Sequence, residues 1–428
     1  MEKFVKLAEK LGADEAEIYL NESTDLSYSS RKDELYSKEF DSKRGYGVRV
    51  VKDRRIGFSY FIQENDAERA IKIALGLSKF SEGSEFGFQK KQAYGKVDAY
   101  DKKVAELSEE EGKDRIMGIV ERIKEMAKPT EIFLSFSTDS SEIMNSNGLH
   151  ATERFTGISC FVEACYEESV AQVGYGSINL DKELEEKCVE VGRIAKEMNK
   201  AKTIETSKKI VVFDQQVVHS ILMLLIHSFN GERIRRGASL LYDKLGEKIG
   251  WEKLSLFDDP YADATGKSGF DGEGTAGKTK ELVKDGYLRN FIFDRKTLAL
   301  YGKQDQEGIA DGNCVRGGYA STPVPGHSNL VVGEGEVENL VSEVKEGIYL
   351  KSFFGEHTAN ELTGDFSVSV DIAFRIKNGE INEPVRNFVL SGNVFTILNQ
   401  IVGIEKKQEK YFDIVSPKIA FKDMQLVG

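Results

Sequence analysis

A single helical stretch in the middle of the chain constrains the fold more than any other feature. Val211–Phe213 is a short apolar strand, Asp214 follows as a helix N-cap residue, and residues 217–229 contain neither Gly nor Pro. All six residues from 221 to 226 are apolar, so the predicted helix has no polar face there. Such a helix has to be covered on all sides, which predicts that it is buried inside a large domain.

Two histidines, His219 and His227, are the side chains of this helix that can do chemistry. They are eight residues apart in the sequence, which corresponds to about 12 Å at a helical rise of ~1.5 Å per residue. Zinc ligands lie about 2 Å from the metal, so one ion cannot bridge the pair. Residues 222–226 include no carboxylate, so the helical zinc-protease pattern of two histidines and a glutamate is absent.

The residues after this helix resemble a known family. The string HSFNGERIRRGAS, residues 227–239, resembles the segment after the active-site helix in the TldD/PmbA family, the modulators of DNA gyrase. The catalytic branch of that family carries His-Glu-x-x-x-His, and its second His falls on His227. Its first His and its Glu fall on Leu222 and Met223. By this comparison the chain resembles the PmbA/TldE branch, which lacks the motif and forms a heterodimer with a catalytic TldD subunit.

The resemblance implies a degenerate site, with no catalytic residue and no cofactor held by this chain. In the catalytic branch the third zinc ligand is a Cys near the C-terminus, and here no Cys follows Cys314. Zinc is therefore expected on a TldD-type partner. We interpret His227 as a buried, hydrogen-bonded remnant of the lost site and His219 as structural. Glu232 is interpreted as a solvated or arginine-paired carboxylate.

Further strings match the same family in the same order and cover most of the chain. They are GYGVRVVKDRRIGFSYF, NSNGL, DGEG, HTANELTGDF, SGN and the late SP dipeptide. The implied activity is proteolysis of unfolded peptides, which this subunit would bind as an added strand through main-chain hydrogen bonds. The residues expected to contact peptide are His227, Asn230, Arg236, His357 and Asp365.

Length and periodicity predict an α+β protein of two domains, because 428 residues exceed one ordinary core. The first domain, residues 1–205, is a mixed α/β half with antiparallel strands and helices, and it divides further into 1–80 and 105–205. The second domain, residues 206–428, is a β-rich half that contains the one buried central helix. The intervening residues 80–104 are predicted to form a long connection.

Local patterns predict most elements of both halves. The predicted helices are 2–11, 66–79, one from the capping box at 108–111 to before Pro129, 182–198, 336–344 and 394–402. The predicted strands are 15–21, 26–31, 46–52, 56–61, 131–138, 150–163, 168–180 and closing strands within 412–427. Tight turns are predicted at 145–148 and at the dipeptides Asp285-Gly286 and Asn378-Gly379, which are typical of two-residue hairpins.

One motif has to be rejected. The string from Gly272 to Thr279 satisfies both the phosphate-loop and the GxGxxG patterns. A phosphate loop needs a buried strand before it and a helix after it, whereas residues 261–271 are polar and a hairpin follows. Asp271 and Glu273 would also repel an anion. We therefore predict a glycine loop that lies close to another backbone.

Charge and cysteine usage limit the partners. The formal net charge of -12 and a pI near 5.2 argue against nonspecific binding to nucleic acid. The first residues form a charged amphipathic helix and no apolar run approaches ~18 residues, so neither a signal peptide nor a membrane span is predicted. The four cysteines show no paired spacing and are predicted to be reduced. We expect a cytoplasmic protein.

Two other functions remain open. The first is a self-sufficient metallopeptidase with a divergent site around His227, Glu232 and His357. The second is a peptide-binding or regulatory protein without a protease partner, which would then form a homodimer. The partner predicted by the resemblance is a TldD-like catalytic subunit, and the metal content of the pure chain distinguishes these cases.

Overall fold

The computed structural model describes residues 1–180, 183–302 and 311–428. Within these residues the helices are α1 (Glu2–Lys10), α2 (Ala67–Ser78), α3 (Lys102–Ala105), α4 (Glu109–Lys124), α5 (Glu183–Met198), α6 (Gln215–Ile226), α7 (Gly231–Arg235), α8 (Arg295–Tyr301) and α9 (Val394–Ile397). The strands of the first half are β1 (Glu15–Arg31), β2 (Glu34–Lys52), β3 (Arg55–Phe61), β4 (Lys128–Asn145), β5 (His150–Tyr166) and β6 (Ser169–Ser177). Those that follow are β7 (Lys202–Thr203), β8 (Ser207–Phe213), β9 (Leu256–Asp258), β10 (Lys280–Lys284), β11 (Tyr287–Leu288), β12 (Cys314–Val315), β13 (Val324–Pro325), β14 (Leu330–Val332), β15 (Glu346–Phe354), β16 (Asp365–Lys377), β17 (Glu380–Arg386), β18 (Val389–Asn393), β19 (Ile401–Tyr411) and β20 (Ile414–Val427).

The N-terminal half is organised around one antiparallel sheet with the strand order β3-β2-β1-β4-β5-β6. Its four central strands are 17 to 19 residues long. The prediction of two separate strands at 15–21 and 26–31 is wrong, because β1 runs unbroken between β2 and β4. The polar residues 22–25 stay in the sheet because their backbone groups pair with both neighbouring strands, and this pairing does not depend on the side chains.

Helices cover one face of this sheet. Ser108 begins α4 with the predicted capping box: its Oγ accepts from the Glu111 amide at 3.2 Å, and a Glu111 carboxylate oxygen accepts from the Ser108 amide at 2.9 Å. Buried residues of α4 and α5 share one core cluster with Ile132 and Leu134 of β4. Lys182, the predicted first residue of α5, lies outside the described residues.

The C-terminal half contains a closed barrel. Five strands pair in the ring β8-β20-β18-β16-β15, and β15 pairs back onto β8. Successive side chains of a strand point to opposite sides. Val211 and Phe213 therefore join one core cluster with α6, while Val212 joins the cluster beneath α5. The chain is thus an α+β protein with a β-rich C-terminal part, as the sequence predicts.

Helix α6 is less completely covered than the sequence predicts. Leu222 and Leu225 are buried in the main core, but Met223 and Leu224 are only partly buried. Helix α6 also ends at Ile226, and the next three residues form a 3-10 turn. Hydrophobicity alone does not distinguish a fully enclosed helix from one whose last turn lies near the surface.

Turns are predicted more accurately than short helices. In both two-residue hairpins the central residues have positive φ, 52° and 78° at Asp285-Gly286 and 53° and 82° at Asn378-Gly379, as the expected turn type requires. The predicted helix 336–344 is reduced to the 3-10 turn Val341–Glu343. The predicted helix 394–402 is reduced to α9, because β19 begins at Ile401 and pairs with β20.

None of the helices in the described residues is both long enough and apolar enough to cross a bilayer.

All four cysteines are free thiols, including Cys160 and Cys188, whose sulfur atoms lie 3.2 Å apart in the core.

Candidate functional site

The positions that would carry a zinc-protease motif lie at the end of α6. Leu222 packs in the main core and Met223 packs against its edge. Neither side chain offers a nitrogen or a carboxylate oxygen to a metal. His227 follows in the 3-10 turn, so it is the single metal-binding side chain of the three.

His227 is partly exposed rather than buried, which corrects the expectation from the sequence. Its side chain is 44% exposed, and its Nε2 lies 3.6 Å from a carboxylate oxygen of Glu361. The other oxygen of Glu361 accepts a hydrogen bond from Arg233 at 2.6 Å. The hydrogen bond from Arg233 holds the pKa of Glu361 below its ordinary value. Glu361 therefore links His227 to α7.

The segment after α6 is fixed by its own local contacts. Asn230 begins α7 as an N-cap: its side-chain oxygen accepts from the Glu232 amide at 3.0 Å. Glu232 accepts hydrogen bonds from Arg235 and Arg236, which keep its pKa below the ordinary value. Its carboxylate is therefore arginine-paired, as the sequence predicts, and its negative charge is already neutralised.

The remaining predicted peptide contacts lie around the same loop. His357 is exposed in the 3-10 turn that follows β15. Asp365 begins β16, and its carboxylate accepts from Thr363 at 2.7 Å and from Asn393 at 2.9 Å. The structure thus brings His227 into contact with the loop that carries His357 and Asp365, while Arg236 turns toward Glu232. Their peptide-binding role stays a prediction.

The end of α6 does not fit the zinc ion that the sequence resemblance implies for a catalytic subunit. A catalytic zinc needs three protein ligands with nitrogen, sulfur or oxygen donors. His227 is the one donor that the motif positions supply, and its close neighbours Glu361 and Arg233 already form an ion pair. We therefore derive no metal-dependent step at this helix.

A buried ion network connects the two halves. The Arg49 side chain, 4% exposed, donates to both carboxylate oxygens of Glu17 at 2.9 Å each and to Glu273 at 2.7 Å. Arg316 donates to the same Glu17. Burial alone would raise the pKa of Glu17, but the two guanidinium groups outweigh it and hold that pKa below its ordinary value. The charges of Glu17 and Arg49 in the N-terminal sheet and of Glu273 and Arg316 in the C-terminal half thus cancel one another.

Next to this network lies a group of three possible metal ligands, Glu273, Asp294 and Cys314, whose ligand atoms all lie within 4.8 Å of one another. The donors fit a structural role better than a metal site. Both oxygens of Glu273 accept hydrogen bonds, from Arg49 and from a backbone amide, and Asp294 caps α8. Burial and the neighbouring carboxylates raise the pKa of the Cys314 thiol, whereas zinc binds the thiolate.

A cavity of about 770 Å³ opens beside the network, between the N-terminal sheet and loops of the C-terminal half. Its walls include Asn21 and Asp139 from the sheet and Asp271, Arg316 and His327 from the loops. This volume lies in the range of roughly 300–1,000 Å³ that is typical of small-ligand sites. The sequence did not predict it.

The glycine loop of the rejected phosphate motif forms part of this cavity. The Gly272 amide donates to the Cys314 carbonyl at 2.8 Å, and β10 rather than a helix follows the loop. The expectation of a loop against another backbone is therefore confirmed. One oxygen of Asp271 accepts from the amides of Glu273 and Thr275, at 2.8 and 2.9 Å.

Burial, reinforced by the nearby Glu273, raises the pKa of Asp271 to about 7. In the unfolded chain the carboxyl ionises near pH 4, so between about pH 4 and pH 7 the native state holds a proton that the unfolded state releases. The free energy of unfolding contributed by Asp271 therefore falls as pH rises through this window and is constant above it.

Replacing Asp271 by Asn is expected to remove this loss, because the amide stays neutral at every pH. From pH 4.5 to pH 8 the stability of Asp271→Asn should rise relative to wild type by on the order of 3 kcal/mol. Denaturant unfolding at the two pH values measures the change. A difference between the two proteins that is independent of pH would contradict the raised pKa.

Sequence reasoning missed two groups of site residues. Glu361, the partner of His227, lies within the family-like string HTANELTGDF, so that string could have indicated it.

His219 and His327 converge on Asp413, with Nε2 to carboxylate distances of 3.6 and 2.9 Å. The interactions with the His219 and His327 rings outweigh burial and hold the pKa of Asp413 well below its ordinary value. His219 is thus structural in the sense that it anchors α6 to Asp413, but no sequence pattern linked it to His327.

Comparisons with known proteins agree along the whole chain. Family models described as PmbA/TldA metallopeptidase domains match residues 16–78 (domain 1), 92–219 (central domain) and 206–428 (C-terminal domain). An uncharacterized protein of Methanocaldococcus jannaschii is 28% identical, covering 99% of this chain and 98% of its own. A metalloprotease of the same organism is 26% identical, covering 96% and 93%.

Two solved structures have the same fold. TldE from Thermococcus kodakarensis superposes with a TM-score of 0.90 at 21% identity, covering 100% of both chains. A modulator of a DNA gyrase from Thermotoga maritima superposes with a TM-score of 0.88 at 21% identity, covering 100% of this chain and 99% of that one.

Proposed function

This chain belongs to the PmbA/TldA metallopeptidase family, and on that premise we propose that it is a non-catalytic subunit of a zinc metalloprotease complex that processes or degrades unfolded peptides. The zinc and its ligands would belong to a TldD-type partner, and the bond cleavage would take place there. This subunit would work in the cytoplasm, bind neither nucleic acid nor membrane, and contribute surface to the peptide path.

One observation carries the proposal. By the sequence resemblance, Leu222 and Met223 fall where the family's catalytic branch carries a histidine and a glutamate, and Leu222 is buried in the main core. A hydrolytic zinc needs both a complete ligand set and a base that reaches its water. The nearest acids do not substitute for that base, because Glu232 and Glu361 are each paired with arginine.

The surface around Glu361 supports a role in peptide binding. It presents partly exposed His227 and Arg233, which both contact Glu361, and the exposed side chains of His357 and Leu362 lie on the same loop as Glu361. An extended peptide needs main-chain partners and shallow apolar contacts rather than deep pockets. Asn230, Arg236 and Asp365 would complete this surface.

Metal and protease assays test the proposal directly. The pure chain is expected to hold no stoichiometric zinc and to leave casein uncut. Mixed with a TldD-type chain of its own host that carries His-Glu-x-x-x-His, it should co-purify and support cleavage that a chelator abolishes. Zinc analysis, affinity purification and casein digestion measure these outcomes.

The variant His227→Ala separates this proposal from a self-sufficient metallopeptidase. Under the proposal this variant leaves the zinc content of the complex unchanged. The control variant His150→Ala should do the same, because His150 is an exposed residue of the N-terminal half that is paired with Glu142. Near-stoichiometric zinc in the lone chain, lost on His227→Ala but kept on His150→Ala, would refute the proposal. Recovery of this chain alone, as a homodimer, would favour a regulatory or binding protein instead.

A further inference from the structure

The cavity between the N-terminal sheet and the C-terminal loops contains two buried polar atoms that lack a hydrogen-bond partner within the described residues. They are Nη1 of Arg316 and the second carboxylate oxygen of Asp271. Both residues line the cavity. A buried polar atom without a partner costs about 1–3 kcal/mol, so a ligand that supplies a hydrogen bond to either atom would recover part of that cost.

Arg316 offers a fixed hydrogen-bond donor. Its side chain is 2% exposed and its guanidinium lies 4.5 Å over the Tyr19 ring. Its Nε donates to the Gly272 carbonyl and its Nη2 donates to Glu17. Three contacts therefore hold the guanidinium plane in place, and Nη1 remains for a carboxylate, which is the group that guanidinium recognises best.

Asp271 offers the complementary acceptor beside it. The two residues are neighbours, because the Gly272 carbonyl that receives the Arg316 hydrogen bond follows Asp271 directly in the chain. One oxygen of Asp271 is occupied by the amides of Glu273 and Thr275, and the other is free. A cationic donor at this oxygen would also favour the ionised carboxyl over the protonated one.

The rest of the lining is of mixed charge, which disfavours simple ions. A phosphate or other pure anion would lie close to Asp139 and Glu153, whose pKa values are already raised by burial. A divalent cation would lie close to Lys43, Lys267 and Arg316. A ligand that carries both charges close together meets neither penalty.

We propose that this cavity binds a free α-amino acid, with its carboxylate on Arg316 and its ammonium group on Asp271. An α-amino acid carries the two charges on one carbon, which suits two recognition groups in the same part of the wall, because Arg316 donates to the carbonyl of the residue that follows Asp271. The volume of about 770 Å³ leaves space for the side chain. The inference rests on the cavity alone and does not require a protease partner.

Calorimetric titration of the complete purified chain with each of the twenty amino acids tests the proposal. At least one amino acid is expected to bind with a stoichiometry of one. The amide and N-acetyl derivatives of that amino acid should each bind at least about tenfold more weakly, because each lacks one of the two charges. A dipeptide, whose charges are further apart, should also bind more weakly.

Variants assign the two charges to the two residues. In Arg316→Lys the affinity for the free amino acid should fall at least about tenfold, while the affinity for its amide should change little. In Asp271→Asn the affinity for the free amino acid should likewise fall, while the affinity for its N-acetyl form should change little. Ser23→Trp, at a wall position of β1, should abolish binding by filling the cavity, even if Arg316→Lys does not fold. The control Ser27→Trp lies four residues further on the same face and does not line the cavity.

Three results would overturn the inference. One is the failure of all twenty amino acids to bind at millimolar concentration. Another is equal affinity for the free acid and its amide, which would remove Arg316 from the interaction. The third is binding that survives Ser23→Trp, which would place the ligand elsewhere. None of these results depends on zinc or on proteolysis, so the proposed function is tested separately.

Discussion

Replacing Arg49 by methionine is expected to lower the free energy of unfolding by about 3–5 kcal/mol, because the change leaves two buried carboxylates without their shared cation. Glu17 and Glu273, each 1% exposed, both accept hydrogen bonds from this guanidinium. Methionine matches the apolar neighbours Phe86 and Phe88, whose rings lie 5.7 and 5.0 Å from Arg49, so steric misfit contributes little. Denaturant unfolding measures the loss.

The matched control is Arg44→Met, five residues earlier on β2. Arg44 pairs with Glu22 at 2.8 Å, but its side chain is 62% exposed. An exposed pair of this kind contributes at most about 1 kcal/mol, so the control should unfold nearly as wild type does. Equal effects of the two substitutions would mean that the buried network does not stabilise the contact between the two halves.

Replacing Gly231 by alanine should displace α7 and lower stability by about 2–3 kcal/mol. A Cβ at this position would lie 2.7 Å from the Ile292 carbonyl oxygen and 2.3 Å from the Phe293 ring, which is fully buried and cannot move aside. The Gly231 amide also donates to that carbonyl at 2.7 Å. Because α7 carries Arg233, the variant should weaken the Glu361 contact as well as the fold.

Gly118→Ala is the control for this prediction. Gly118 lies in the middle of α4, and a Cβ there would meet nothing within 4 Å. Alanine should therefore stabilise the helix by about 0.5–1 kcal/mol. Thermal unfolding of both variants gives the comparison, and a Gly231→Ala protein as stable as wild type would show that the Ile292 backbone can give way.

Local chemistry made part of this molecule predictable. The Ser108 capping box, the Asp285-Gly286 turn and the apolar pair at Leu222 and Met223 each depend on residues within one or two helical turns of one another. Patterns of this kind are present in the sequence itself, so the family and the fold class can both be predicted from it.

The distant contacts could not be inferred in the same way. Arg49 meets Glu273 across 224 positions of sequence, and no local pattern pairs one buried ion with another at that distance. The apolar helix predicts an interior position for His227, but the helix ends one residue earlier and the ring faces Glu361. The cavity beside Arg316 arises from the approach of the two halves, which depends on tertiary packing.

The closed ring of β8, β20, β18, β16 and β15 has a consequence for biosynthesis. β8 is made about 200 residues before its partner β20, so a growing chain exposes one edge of β8 until translation reaches residue 427. The long loop that must close before this pairing forms slows assembly. The apolar side chains of α6 remain without their final packing partners during that interval, so the emerging C-terminal half exposes surface that favours aggregation until the ring closes.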